Sequence, residues 1–291
     1  MNDFMMAKLG VCLAVCLVLL ANPARAADEA PVLRVSMVPE EPPAELQRKL
    51  APLMAYLEKA TGRKVQFIPA TTYQATIDGL ANKQLDMVWY GGLTFVEARR
   101  RTGNAIPLIQ RVEDATFHSK FVVPANSPAK TLMDLKGTQF AFGPATSTSG
   151  HLMPRYFLMQ AGIDPERDFK KVIYSGAHDV TARWVETGKV DAGVLNELVF
   201  QRLLNEKKID PAKIRVLWTS PAYFNYNWTV RGDLEPELVE KIRAAFLALD
   251  ASKPEHKVIL DSQQTKKFIE TKVENYQSIE AAAKATKLIA D

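Results

Sequence analysis

The stretch richest in chemistry is Gly143-Pro144-Ala145-Thr146-Ser147-Thr148-Ser149-Gly150, set between a β-like run and a helical pattern. Ser147, Thr148 and Ser149 fall where that helix begins. First-turn N–H groups lack an intrahelical acceptor and the dipole there is positive, so the segment suits an anion with several oxygens. A plain N-cap would need only one such residue. No Gly-Lys-Ser/Thr follows at the required spacing, so this is not a P-loop. His178-Asp179 opens another helical stretch, and its imidazole could donate to an anion or cap the helix. Tyr90 ends the strand-like Asp86-Met87-Val88-Trp89-Tyr90 ahead of Gly91-Gly92. Ligands of open α/β sheets gather outside the carboxyl ends of strands, which makes Tyr90 a candidate contact. Residues 221–228 are dense in aromatics and suit either a cleft lining or a domain junction.

Other chemistries find less support. No Gly-x-Ser-x-Gly elbow surrounds Ser147, so a hydrolase triad with His178 is disfavoured. The four histidines are scattered, and the two cysteines, Cys12 and Cys16, lie near the amino terminus, a poor basis for a metal site. No catalytic residue, metal or cofactor is therefore expected. The formal charge is +4, and the longest basic run, Arg99-Arg100-Arg101, sits on a helical pattern. A solvated helix face explains it better than a nucleic-acid patch does.

The elements that must position these residues alternate along the chain. At 291 residues, 47% apolar and 24% charged, the composition is that of a globular protein of about two domains. Period-2 or short apolar runs at 32–38, 65–68, 85–89, 138–142, 171–174, 190–195, 214–218 and 227–231 predict strands. Helical spacing predicts helices from Pro43 to Gly62, with a kink at Pro52, and over 73–82, 93–102, 150–162, 178–187 and 196–207. Beyond Glu235 the chain reads as mostly helix. Strand–helix alternation implies mostly parallel sheets covered by helices. Residues 120–124 and 223–228 read as crossovers, so a middle lobe of 120–224 would be inserted into a lobe built from 27–119 and 225–291. Two sequential domains are the alternative.

Residues 1–26 read as a secretory signal peptide: Lys8, a 13-residue apolar run from Leu9 to Ala21, then Ala24-Arg25-Ala26 as a small-x-small cleavage site. That run is short for a bilayer-spanning helix, which needs about 20 apolar residues. A lipoprotein anchor is disfavoured because a bulky Val precedes each cysteine. Cleavage after Ala26 would leave a cysteine-free chain exported to the periplasm.

In combination these segments resemble the phosphate/phosphite/phosphonate family of periplasmic substrate-binding proteins of ABC transporters. The resemblance covers about residues 32–250. It rests on LMAYLEK at 53–59 before Thr61-Gly62, LDMVWYG at 85–91, STSG at 147–150, SGAHD at 175–179 and VDAG at 190–193. It implies a two-lobed α/β clamshell of the type II kind that closes on a small oxyanion and delivers it to a permease and, through it, an ATPase. It further implies that Ser147, Thr148 and Ser149 wrap the anion, with Tyr90 and His178 as donors from the two sides. Where the resemblance implies an Asp, this chain has Asn196, whose NH2 would donate to an unprotonated dianion such as sulfate or selenate. The other reading of Asn196 is a helix cap. Some similar proteins resemble sensors that signal to a membrane histidine kinase, which leaves uptake and sensing both open for a monomeric, non-enzymatic binding protein.

Overall fold

The apolar runs assemble into two sheets in the computed structural model, which describes residues 32–290. The signal peptide expected over residues 1–26, with Cys12 and Cys16, lies outside the described residues. The first half of the chain lays down β1 (Leu33–Met37), α1 (Pro43–Thr61), β2 (Val65–Phe67), α2 (Tyr73–Ala81), β3 (Met87–Tyr90), α3 (Gly92–Thr102) and β4 (Ile106–Arg111). The middle holds β5 (Ser119–Pro124), β6 (Gln139–Phe142), α4 (Met153–Gln160), α5 (Pro165–Asp168), β7 (Lys171–Tyr174), α6 (His178–Glu186), β8 (Ala192–Asn196), α7 (Glu197–Asn205) and β9 (Ile214–Thr219). The chain closes with β10 (Asn227–Val230), α8 (Pro236–Leu247), α9 (Pro254–Ser262), β11 (Phe268–Glu270) and α10 (Gln277–Ala285).

One sheet runs β11-β4-β10-β3-β1-β2 and the other β7-β6-β8-β5-β9. The expectation of mostly parallel sheets needs correcting, because both are mixed. Pairing is parallel for β1 with β2 and β3, and for β6 with β7 and β8, where helices form the crossovers. The strands that bring the chain across and back, β4, β5, β9 and β10, pair antiparallel, as does β11. β11 went unread because its two apolar residues, Phe268 and Ile269, sit between charged residues in a stretch that otherwise reads as helix. Residues 120–124, read as a crossover, form most of the interior strand β5, between β8 and β9. The chain instead passes between the sheets at 112–118 and 220–226. There Phe117 and Tyr223 exchange both backbone hydrogen bonds, at 2.9 and 3.0 Å.

Both faces of the second sheet are buried. Phe121, Val123, Phe140, Phe142, Ala192 and Val194 pack on one face; Val122, Ala141 and Leu195 pack on the other. That two-sided burial is why these strands read as continuous apolar runs. Gly193 sits where a Cβ would lie 2.8 Å from Thr181 Cγ2 and 3.1 Å from Val185 Cγ2. Its missing side chain lets α6 settle directly on β8. In the first sheet, α1 runs unbroken through Pro52 and ends at Gly62, whose φ of 70° is the left-handed cap that glycine adopts freely.

Candidate functional site

The hydroxyl-rich loop leads from β6 into a π-helical turn, Thr148–Leu152, that opens α4. The sequence predicted an ordinary helix from Gly150. Pro154 gives one reason for the difference: it has no N–H for the Gly150 carbonyl, which instead accepts from Gly143 N at 2.8 Å. The Leu152 N–H reaches back five residues to Ser147 O at 3.0 Å. Wide turns of this kind recur at functional sites. The turn is buried, with Ser147, Thr148 and Ser149 exposed by 2%, 1% and 0%.

Each hydroxyl has a different environment. Ser147 Oγ accepts from Gly150 N at 3.0 Å and lies 3.4 Å from His178 Nε2. Thr148 Oγ1 crosses to the other sheet and accepts from Leu93 N in the first turn of α3 at 2.8 Å. Beside it, Thr94 Oγ1 donates to Thr146 O at 3.3 Å. Ser149 Oγ is buried and makes no hydrogen bond of good geometry among the described residues, although the Tyr223 phenol lies close to it. Leaving a buried polar group unpaired costs about 1–3 kcal/mol, so the position calls for something that Ser149 can bind.

His178 stands at the start of α6, and its ring lies over the two glycines that close the loop. A Cβ on Gly150 would fall 2.7 Å from His178 Cε1. Burial pushes the imidazole down to about 4, so it is neutral near pH 7. Its Nδ1 faces the Asn196 N–H at 3.3 Å. That N–H can only donate, so the single ring proton belongs on Nε2, toward Ser147. An Nε2–H cannot accept the Ser147 proton. The pair is therefore arranged to donate to an oxyanion, not to activate a nucleophile.

Asn196 lies beside the cradle with both ends of its amide engaged. Its Oδ1 accepts from Leu198 N and Val199 N at 2.8 and 3.1 Å, the cap of α7. Its Nδ2 donates to Tyr226 OH at 2.9 Å, and that phenol donates in turn to Glu40. The geometry thus supports the cap reading over direct donation to a dianion. Burial raises the Glu40 carboxyl above its ordinary value, against the opposing pull of the Tyr226 hydrogen bond and of Arg111 and Arg202.

Tyr90 is not brought to the cradle. Its hydroxyl donates to Thr76 O at 2.7 Å and its side chain is fully buried, so the contact role expected from its strand-end position lacks support. The next residues along take that place: Gly92 and Leu93 present first-turn N–H groups, to Asn225 Oδ1 at 3.3 Å and to Thr148. Sequence reasoning missed Tyr73, whose buried hydroxyl has no partner among the described residues. It opens α2, six residues beyond the end of β2, where the strand-end rule that singled out Tyr90 does not reach. Of the two uses weighed for the aromatic segment 221–228, the packing supports the junction. Tyr226 stacks on Trp89 at 5.5 Å, and the pair helps to frame the junction under the Arg111 guanidinium.

The result is a buried set of neutral donors (hydroxyls, an imidazole N–H and helix amino termini) that can replace the hydration of a small anion. The nearby Arg111 is already paired with Asp114 at 2.6 and 2.9 Å. A separate cavity of about 50 Å³ lies on the far side of Asn196, lined by residues including Glu40, Trp89, Arg111 and Asn196 and by none of these donors. Among the described residues, no cluster of His, Cys, Asp or Glu could hold a metal, and no helix is long and apolar enough to cross a membrane.

Residues 35–276 match the family described as periplasmic phosphonate substrate-binding proteins of ABC transporters. A probable ABC transporter phosphite-binding protein of Prochlorococcus marinus, PhnD1, is 37% identical over 260 residues, covering 86% of this chain and 88% of the relative. The phosphonates-binding periplasmic protein of Escherichia coli is 27% identical, covering 90% and 78%. The structure of the Prochlorococcus protein in complex with methylphosphonate overlays with a TM-score of 0.83 at 36% identity, covering 89% of this chain and 99% of that one.

Proposed function

Because this chain belongs to the phosphonate-binding family of periplasmic substrate-binding proteins of ABC transporters, we propose that it captures a small phosphorus oxyanion in the Ser147–Thr148–Ser149 turn. The observation that carries the reading is the orphaned, fully buried Ser149 hydroxyl beside the Nε2–H of His178 and the start of the π turn. In this reading Ser147, Ser149 and His178 donate to the anion's oxygens, and Tyr73 supplies a further donor. Thr148 holds α3 against the turn, so that the two helix starts face the same charge.

The chain's two sheets, with their helices, act as the lobes of a clamshell, one built on β1–β4, β10 and β11 and the other on β5–β9. Asn196 works indirectly, by holding α7 and Tyr226. Methylphosphonate and phosphite are the ligands to test first, since the relatives' names point to them. The protein is read as a monomeric carrier without catalysis, exported by cleavage after Ala26 and docking on a permease. Intact mass of the periplasmic form should begin at Ala27.

Calorimetry with phosphite, methylphosphonate, phosphate, sulfate and selenate tests the ligand class. The expected result is tight binding of a phosphorus oxyanion that weakens in Ser149→Ala. Preference for selenate or sulfate would replace the phosphorus reading, and wild-type affinity in Ser149→Ala would remove the turn as the site.

A further inference from the structure

His151 has no part in gripping the anion, yet it is wired to the loop that does. It lies in the π turn, 2% exposed, with its ring edge-on to Phe142 and Tyr174 at 4.9 Å each. Nε2 faces Arg155 Nε at 2.9 Å and the Tyr174 hydroxyl at 3.0 Å. On the opposite side Nδ1 lies 2.6 Å from Ala145 O. Arg155 is itself held by Glu166 at 2.7 Å and lies over the Phe142 ring at 5.2 Å.

The direction of these bonds can be worked out. A guanidinium only donates, so Nε2 must accept from Arg155. Burial pushes the imidazole down to about 4, leaving one ring proton near pH 7, and that proton must sit on Nδ1. Nδ1–H then donates to the Ala145 carbonyl, two residues before Ser147. The ends of the loop are tied separately, by Gly143 N to Gly150 O at 2.8 Å and by Leu152 N and Gly150 N to Ser147 O and Oγ at 3.0 Å each, whereas Ala145, in the middle, is tied by His151.

We propose that His151 is a positioning residue for oxyanion binding: Arg155 sets its tautomer, and its Nδ1–H holds Ala145 so that the following hydroxyls meet the anion in register. Groups that grip a ligand need their own geometry held by such supporting bonds, and small misplacements are costly. The inference rests on the turn being the anion site, and its test separates the two.

Phosphite and methylphosphonate are titrated into the mature chain carrying His151→Leu, His151→Gln or His151→Asn, with thermal melting as the check on folding. Asn places an amide donor close to where Nδ1 sits, whereas Gln places it near Nε2. Affinity should fall roughly tenfold in the Leu and Gln variants and stay within about twofold of wild type in the Asn variant, a single lost hydrogen bond being the difference. Wild-type affinity in His151→Leu, or equal losses in the Leu and Asn variants, would overturn the proposal. Ser149→Ala and Thr148→Ala are run in parallel. If both bind as wild type, the turn is not the site, a failure distinct from any result at His151. Imidazole ¹⁵N shifts need no substitution at this position: they should report an Nδ1–H tautomer that depends on Arg155, and an Nε2–H tautomer in wild type would sink the idea even if the Leu variant did not fold.

Discussion

The donors of the proposed cradle are neutral: Ser147 and Ser149 hydroxyls, the His178 Nε2–H and the N–H groups of helix starts. Such groups stabilise an anion once water is excluded, and charge-assisted hydrogen bonds are each worth about 1.5–3 kcal/mol. Ser149→Ala should therefore weaken binding roughly tenfold or more while leaving the melting temperature at or above the wild-type value, since an orphaned buried hydroxyl is removed. Calorimetry and melting on the same sample check both halves. His178 also ties stability to pH. Its folded value of about 4 lies below the ordinary 6.5, so the unfolded chain takes up a proton first. The wild type should lose stability relative to His178→Asn as pH falls from about 6.5 toward 4, by up to about 1.4 kcal/mol per pH unit, and level off below. Comparing the two proteins is necessary because Glu97, raised by burial to about 7, works in the opposite direction over part of that range. Parallel curves for the two proteins would mean that His178 does not titrate as its burial implies.

Each donor is presented by an element whose seating depends on one or two small or capping residues. Gly193 is the clearest case, since α6 carries His178 and lies on β8 where no side chain stands between them. Gly193→Ala puts a methyl 2.8 Å from Thr181, and overpacking of this kind costs about 1–3 kcal/mol. A lower melting temperature and weaker oxyanion binding are expected together, because the shift moves His178 away from Ser147. Loss of stability with unchanged affinity would show that α6 yields at some other point. Asn196→Ala removes the cap of α7 and the partner of Tyr226, with an expected loss of about 0.5–2 kcal/mol in chemical denaturation. Asn196→Asp keeps the cap but not the donor to Tyr226. If Asn196 acts only through α7, the variant should rank oxyanions as the wild type does; a changed ranking would restore it as a direct contact.

Across the whole molecule, the two sheets are bridged by side chains at the cleft and by backbone at the crossing. Thr148 to Leu93, Thr94 to Thr146, Asn196 to Tyr226 and Arg202 to Glu41 link residues on opposite sides. At the crossing, the two passing segments are joined by the Phe117–Tyr223 pair and by Asn225 N to Asp114 O at 2.9 Å. An anion held by groups from both sides favours the closed form, which is population shift in the ordinary sense. The radius of gyration in small-angle scattering should fall on saturation with a ligand verified by calorimetry. An unchanged radius would mean that the cleft is closed throughout or that one lobe alone binds.

How much of this was legible in the sequence follows from the range of the interactions involved. The clustering of Ser147, Thr148 and Ser149 at a helix start, the glycine stop at residue 62 and the period-2 strands are local properties, recorded in neighbouring residues. The hydroxyl turn was therefore recognisable without coordinates, and so was the alternation that makes an α/β chain. Tyr90 shows the limit: its place at a strand end was right, but the direction of its phenol depends on α2 lying within 2.7 Å. Asn196 satisfied two descriptions equally until Tyr226, thirty residues on, took its NH2 group. The mixed pairing of the sheets was hidden for the same reason, since a strand buried on both faces carries the same apolar run in either direction. The protonation of His178 and His151 was settled last. Which nitrogen carries the proton depends on a backbone N–H from β8 in one case and a guanidinium on α4 in the other, partners that only the folded chain brings within hydrogen-bonding distance.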